Sequence, residues 1–338
     1  MRVAVIGRGF GERVVAPAFE ALDGSEVVEV VSPRDEAGVE ALCRRADVDL
    51  VCVHSPPFLH LEHVRRAVEG GHDVLCDKPF GRNATEAAEM RDLAEAAGVL
   101  HFLNFEYRYD AARRFVFGAV ADGAVGEPEH VAFTLLMSVS RSPLRPYGWL
   151  FDAAAGGGWL RAMGAHQIDF TRWAFGEIVE ATGQLRTAVT ERPDAAGVQH
   201  RCTADDGFAL TLRTGRGVSI VMDGSSAAPM NLPLSLVVVG SEGVLEEAGS
   251  RVVVHTPDGD RELFNAPPSS NPLVPAMQRY AEVIRDAVRE RQVPLDVPTF
   301  EDGLACATVM DRVAGANVGA VSRQDEFTTL GGMGGTRE

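Results

Sequence analysis

At 338 residues the chain exceeds what one hydrophobic core ordinarily supports, since cores stop growing near ~250–300 residues, so two domains are the starting expectation. A composition 46% hydrophobic and 24% charged is that of a globular protein, and no apolar run approaches the ~18–20 residues that span a bilayer, which excludes membrane insertion. Against 32 Lys and Arg stand 48 Asp and Glu, and a net charge of −16 repels a phosphate backbone and argues against nucleic acid as a partner.

Met1-Arg2 runs directly into the strand-like Val3-Ala4-Val5-Ile6, with no apolar segment leading to a small-residue cleavage site, so export is not expected. Through the first part of the chain, short β-branched runs alternate with helical patterns, the signature of parallel strands joined by crossover helices. Strands are predicted over 3–6, 27–31, 50–54, 73–76 and 100–105, and helices over 59–69 and 84–97. Asn83 with Glu86 three residues on opens the second helix, and Gly98 closes it. Only about eighteen residues separate Ser32 from the following strand, too few for a helix, a strand and a second connection. One edge strand of a doubly wound sheet is therefore expected to be missing.

After Gly123 the texture becomes alternating strands with turn signals, over 130–138, 181–189, 201–213, 217–223, 234–239, 244–247 and 252–255, which implies mostly antiparallel pairing. A helix over 164–175 interrupts them; an amphipathic helix over 275–289 and a last one over 300–317 follow. The division expected is residues 1–122 for a dinucleotide-binding Rossmann domain and 123–330 for an α+β substrate domain. The helix over 300–317 is free to pack back on the first domain, and the glycine-rich 331–338 forms a tail with too little apolar matter to order itself. The fold class is thus α/β plus α+β. The five cysteines are scattered and never spaced as CxxC, so neither a metal site nor a disulfide framework is indicated, and a cytoplasmic, reducing location fits.

Gly7-Arg8-Gly9-Phe10-Gly11 follows the first strand and precedes a helix. Glycines there let the backbone turn tightly against a pyrophosphate whose charge meets helix N-terminal amides. The third glycine of the usual GxGxxG spacing is replaced by Glu12, and such a turn is also compatible with a purely structural role. At the end of strand two, where an acid would grip a ribose hydroxyl, stands Ser32-Pro33-Arg34. Arg34 can pair with a 2′-phosphate, favouring NADP over NAD, although Asp35 is close and a solvated arginine is the alternative. Ser55-Pro56 with His60, and Asp77-Lys78-Pro79, follow the next two strands, whose carboxyl ends are where open α/β sheets bind ligands. Lys78 so placed can donate to a substrate oxygen. Gly156-Gly157-Gly158 frees backbone to approach a ligand, and His166, three residues before Asp169, is a candidate general acid/base, a packed histidine being the alternative.

In their order and spacing, these motifs, together with Asn104-Phe105-Glu106-Tyr107-Arg108-Tyr109 and Gly123-x-x-Gly126, resemble the glucose-fructose oxidoreductase/inositol dehydrogenase (Gfo/Idh/MocA) family over nearly the whole chain. The resemblance implies a Rossmann domain followed by an open-faced, mostly antiparallel sheet. It also implies hydride transfer between NAD or NADP and a sugar, cyclitol or related small polar substrate. By the same resemblance Lys78 contacts nicotinamide and substrate, and His166 is acid/base. Gly7, Arg8, Gly9, Phe10, Gly11, Ser32, Arg34, Ser55, Pro56, His60 and Asp77 hold the cofactor. Arg108, Tyr109, Trp149, Arg161 and Asp169 line the substrate cleft, with Asp205-Asp206 as further candidates. Association into a homodimer or homotetramer through the outer face of the second sheet is implied as well. The chain departs from the pattern where the aspartate four residues before the histidine is Ala162. That leaves three readings: a dehydrogenase or reductase, including reduction of a ketone or imine; a dinucleotide- and ligand-binding regulatory protein without turnover; or a lyase or hydrolase that uses the nicotinamide transiently.

Overall fold

Val and Ile have few helical rotamers and pack well on pleated surfaces, and runs of them form the first sheet of the computed structural model, which describes residues 1–266 and 273–317. Five parallel strands, β1 (Arg2–Ile6), β2 (Glu26–Val31), β3 (Leu50–Val53), β4 (Asp73–Cys76) and β5 (His101–Leu103), lie in the order β2-β1-β3-β4-β5. Between β2 and β3 only the helix α2 (Glu36–Cys43) intervenes, after α1 (Ala16–Glu20) has joined β1 to β2. The residue count across this connection thus leaves β2 as the sheet edge, and the expected edge strand is missing. The helices α3 (His60–Glu69) and α4 (Ala84–Ala97) complete the crossovers; Asn83 caps α4 through the Glu86 amide, and Gly98 ends it in the left-handed conformation. The strand expected to reach residue 105 stops at Leu103, because Asn104 N–H bonds to the carbonyl of Cys76 and the chain turns away over the end of β4.

After α5 (Ala111–Ala121), a helix not among those expected and capped by Asp110 through the Arg113 amide, come β6 (Pro128–Leu136), α6 (Ala165–Phe175), β7 (Ile178–Arg186), β8 (Glu191–Pro193), β9 (Gln199–Arg201), β10 (Gly207–Thr214), β11 (Ser219–Ser225), β12 (Ser235–Gly240), β13 (Val244–Ala248), β14 (Arg251–Thr256) and β15 (Gly259–Asn265). Eight of these strands form one sheet, β15-β14-β13-β12-β6-β11-β10-β7, antiparallel except for β6 beside β11. The single strand expected over 201–213 is two: β9 pairs with β8 in a separate ribbon, and β10 joins the sheet. Side-chain alternation on β10 sends Phe208, Leu210 and Leu212 inward and leaves Ala209, Thr211 and Arg213 outside. α6 covers the inner face, with Phe170 edge-on to Phe133 of β6.

α7 (Leu273–Glu290) and α8 (Phe300–Asn317) return to the first sheet on opposite faces. On one, Tyr280 and Ile284 pack with Val3, Val5 and Phe102; on the other, Phe300 lies 4.5 Å from Phe80 between ring centroids. All five cysteines are buried. Among the described residues no helix is long and apolar enough to cross a membrane. The tail expected over 331–338 lies outside the described residues.

Candidate active site

Gly7 leaves β1 with φ +143°, its N–H bonded to the carbonyl of Val31. A Cβ there would sit 2.4 Å from the His54 carbonyl oxygen, and one at Gly11 would sit 2.8 Å from Val5 Cγ1, whereas one at Gly9 would meet nothing within 4 Å. The turn is thus wedged against the strands at Gly7 and Gly11 and open at Gly9, the cradle a pyrophosphate needs. Glu12, at the position of the missing third glycine, is exposed, and Gly11 supplies the close packing instead. Arg8 is exposed beside this opening, and Phe10 is half-buried with its ring 6.0 Å from that of His54. These residues fit a nicotinamide dinucleotide. At the end of β2, Ser32 Oγ accepts from the Arg34 amide at 3.3 Å, and Asp35 turns away to cap α2 through the Gly38 amide at 3.0 Å. Arg34 is exposed there, with the neighbouring carboxylate committed to the helix.

At the end of β3 two residues expected at the cofactor have partners within the protein. His60 is fully buried and its Nε2–H donates to the Ser55 carbonyl at 2.7 Å, while Ser55 Oγ is 2.9 Å from His63 Nδ1. Both side chains brace the turn from beneath, because α3 starts at His60 and tucks its first imidazole under the loop; the turn then presents Pro56, half-buried, and backbone.

The end of β4 carries the charged centre. Asp77 Oδ1 accepts from the Lys78 amide (2.9 Å) and Asn104 Nδ2 (3.0 Å), and His54 Nδ1 lies 3.3 Å from its other oxygen. Burial alone would push this carboxyl up, but His54, the Lys78 ammonium and Asn104 outweigh it and hold Asp77 well below the usual carboxylate range. Lys78 Nζ crosses to the second half of the chain and donates to the Ala162 carbonyl at 2.6 Å.

Four residues beyond Ala162, on the first turn of α6, His166 is 3% exposed, its ring 4.2 Å from Tyr107 and 5.8 Å from Phe105 between centroids. Burial, with the Lys78 ammonium nearby, pushes this imidazole well below its ordinary value, so it is neutral at pH 7. Its Nε2 is 3.9 Å from Oε1 of Glu106, a buried carboxyl in the short 3₁₀ turn after β5. Burial raises Glu106 to about 8, partly offset by Lys78. The site therefore gathers a cation, an ionised carboxylate, a neutral imidazole and a carboxylic acid that keeps its proton at neutral pH. The expected Lys78 and His166 are brought together; Glu106 carries no role in the sequence reading. The signal for it is its place in Asn104-Phe105-Glu106-Tyr107-Arg108-Tyr109, three residues past the end of β5, and its neighbour His166 is far along the chain.

Other expected cleft residues are committed elsewhere. Arg108 donates from Nε and Nη2 to the two oxygens of Asp169 (2.8 and 2.5 Å) and also to Asp302 (2.9 Å), with Arg108 and Asp169 both nearly inaccessible. Tyr109 is buried and stacked on Tyr280 with centroids 4.5 Å apart. Arg161 pairs with Asp311 of α8 at 2.5 Å. Asp205 accepts from the Leu160 amide, and Asp206 from those of Ala188 and Val189. Trp149 opens a short 3₁₀ turn, half-buried against the main core. The triple glycine also serves packing: a Cβ on Gly157 would lie 2.2 Å from the Trp149 carbonyl oxygen, so the chain, not a ligand, occupies that space.

Two family models match. One, described as an oxidoreductase family with an NAD-binding Rossmann fold, covers residues 1–105, and the other, a GFO/IDH/MocA C-terminal domain, covers 115–246. An uncharacterized oxidoreductase of Synechocystis sp. is 27% identical over 92% of each chain, and an inositol 2-dehydrogenase of Rhizobium meliloti is 25% identical over 88% of this chain and 86% of its own. Among solved structures, a levoglucosan dehydrogenase in complex with NADH and L-sorbose superposes with a TM-score of 0.84 at 21% identity, covering 94% of this chain and 97% of the other. With a glycine turn built for a pyrophosphate and a lysine at the end of β4, the chain belongs to the GFO/IDH/MocA oxidoreductase family.

Proposed function

We propose that this protein transfers hydride between a nicotinamide dinucleotide and a hydroxyl or carbonyl carbon of a sugar-like or cyclitol substrate. The observation that carries the reading is the Lys78 ammonium, fixed at the carboxyl end of β4 between the glycine turn and the buried His166. Bound there, the dinucleotide supplies or accepts the hydride. Lys78 donates a hydrogen bond to the substrate oxygen and favours its alkoxide character, and His166 exchanges the proton with that oxygen. Relatives named inositol 2-dehydrogenase and levoglucosan dehydrogenase support a polyhydroxylated substrate. Arg8 and Arg34, exposed around the turn in a chain of net charge −16, provide local positive potential for phosphates, and Arg34 favours NADP because Asp35 is engaged in capping α2.

The division into a cofactor domain over 1–122 and a substrate domain from 123 onward belongs to this reading. So do a cytoplasmic location, supported by five buried thiols, and a homodimer or homotetramer joined through the outer face of the eight-stranded sheet, where Val179 and Val221 are 48% and 40% exposed. Ala162 in place of a carboxylate favours a second reading, binding without turnover. Calorimetry with NAD(H) and NADP(H), followed by a substrate screen with levoglucosan, L-sorbose and myo-inositol read at the reduced-nicotinamide absorbance, separates the two. Binding with turnover supports the dehydrogenase, binding without turnover the alternative, and no binding at millimolar dinucleotide removes both.

A further inference from the structure

We propose that Glu106 is the proton partner of His166, standing in from a different element for the carboxylate that Ala162 lacks. The inference rests on the dehydrogenase reading above. The two side chains face each other at 3.9 Å between Oε1 and Nε2, both within about 3% of full burial. Glu106 Oε2 and His166 Nδ1 have no hydrogen-bond partner among the described residues. Buried polar atoms are rarely left unpaired, and a site whose unpaired atoms lie on two neighbouring titratable groups has the arrangement of an unloaded proton path. A gap of 3.9 Å exceeds a hydrogen bond, but such contacts are often long before substrate binds and tighten in the complex.

The chemistry of the pair explains why His166 needs a partner. A neutral imidazole is a poor acid at its N–H unless a proton arrives at the other nitrogen. In the reducing direction the substrate carbon receives hydride and its oxygen takes the Nδ1 proton of His166. Nε2 simultaneously accepts the proton of Glu106, whose carboxylate is left facing the Lys78 ammonium. The imidazole is neutral before and after, with its tautomer exchanged; before the next turnover Nε2 returns its proton to the Glu106 carboxylate and Nδ1 takes one from water in the cleft, which restores both groups. Oxidation runs the same transfers backwards. No imidazolium forms, which suits a histidine flanked by Tyr107 and Phe105 and facing the positive charges of Lys78 and, from α5, Arg113; Asp77 is the opposing negative charge.

Glu106→Gln preserves shape and hydrogen-bonding capacity but carries no transferable proton. On the substrate found by the screen, it is expected to lower kcat about 10²-fold with KM and melting temperature little changed. In the native protein the reduction rate is expected to fall, and the oxidation rate to rise, through a pH near the Glu106 value of about 8; the variant loses that limb. Glu106→Asp should restore part of the rate. A second readout needs no cofactor: in protein labelled with ¹³C-glutamate, a carboxyl resonance absent from Glu106→Gln should titrate far above ordinary glutamates. Titration of that resonance in the ordinary carboxylate range, or an unchanged kcat and pH profile in Glu106→Gln with dinucleotide binding intact, overturns the relay alone. Absence of dinucleotide binding in the native protein overturns the dehydrogenase reading and the relay with it.

Discussion

Lys78 Nζ donates to the backbone carbonyl of Ala162 at 2.6 Å, so a lysine carried by the first sheet is anchored on the residue whose side chain would otherwise supply a carboxylate. The ammonium is thereby positioned across the cleft, near the buried His166 and Glu106.

Loss of a positioned acid/base typically costs ~10²–10⁴-fold in rate. Lys78→Ala and His166→Ala should each lower kcat by that order, with native circular dichroism retained. Because burial holds the His166 imidazole well below its ordinary value, native kcat for reduction should show no loss as pH falls through the ordinary histidine range; its acid limb lies lower. Near-native turnover in both variants would remove the site assignment.

Ala162→Asp places a carboxylate beside Lys78. A new negative charge there favours the imidazolium and raises His166, and it competes with the carbonyl for the ammonium. Steady-state assays should show a gain in polyol oxidation relative to carbonyl reduction, and an NMR titration should move the His166 resonance towards the ordinary value. An unchanged oxidation-to-reduction ratio would mean that position 162 does not influence proton transfer.

If Arg34 grips a 2′-phosphate, a charge-assisted hydrogen bond of about 1.5–3 kcal/mol is at stake, and the exposure of Arg34 puts the effect at the lower end. Arg34→Ala should weaken NADPH about tenfold and NADH hardly at all, measured by calorimetry at fixed ionic strength. Equal losses would end the case for NADP.

The parts of the fold legible in the sequence are those written in local periodicity or chain length. The strand before Gly7, the cap of α4 at Asn83 and the shortened sheet follow from neighbours in sequence or from the count of residues between Ser32 and Leu50. Lys78 and His166 are legible because motif order places them at strand and helix ends. What stays hidden depends on partners far apart. Arg108 and Asp169 are separated by 61 positions, and nothing near either residue announces that they neutralise each other. Ser55 and His60 sit at a strand end where ligands bind, yet His60 tucks under the turn and Ser55 Oγ meets His63, so both side chains have partners within the protein. Glu106 is concealed for the same reason: its acidity is set by burial and by Lys78, neither of which its local sequence displays.

The Arg108–Asp169 pair gives the last prediction. Two parallel N–H to oxygen bonds between nearly inaccessible groups tie the turn after β5 to α6, and Arg108 reaches on to Asp302 of α8, so the pair joins three elements around the site without touching Lys78 or His166. Breaking a buried pair by removing one partner costs about 3–5 kcal/mol where the other charge is left uncompensated; Arg108 keeps Asp302 at 2.9 Å, which puts the loss of Asp169 at the lower end. Asp169→Leu should therefore lower the denaturant midpoint markedly, while Asp169→Asn, which keeps one acceptor, should lower it less. Replacing both partners by apolar groups normally recovers stability, and Asp302 keeps Arg172 at 3.0 Å and the Thr299 amide at 2.9 Å, so Arg108→Met with Asp169→Leu should recover most of the loss. The midpoint comes from equilibrium unfolding and the dinucleotide Kd from calorimetry below it. A lowered midpoint with an unchanged Kd is expected from a scaffold pair. An unchanged midpoint with a raised substrate KM would instead place Asp169 in contact with substrate.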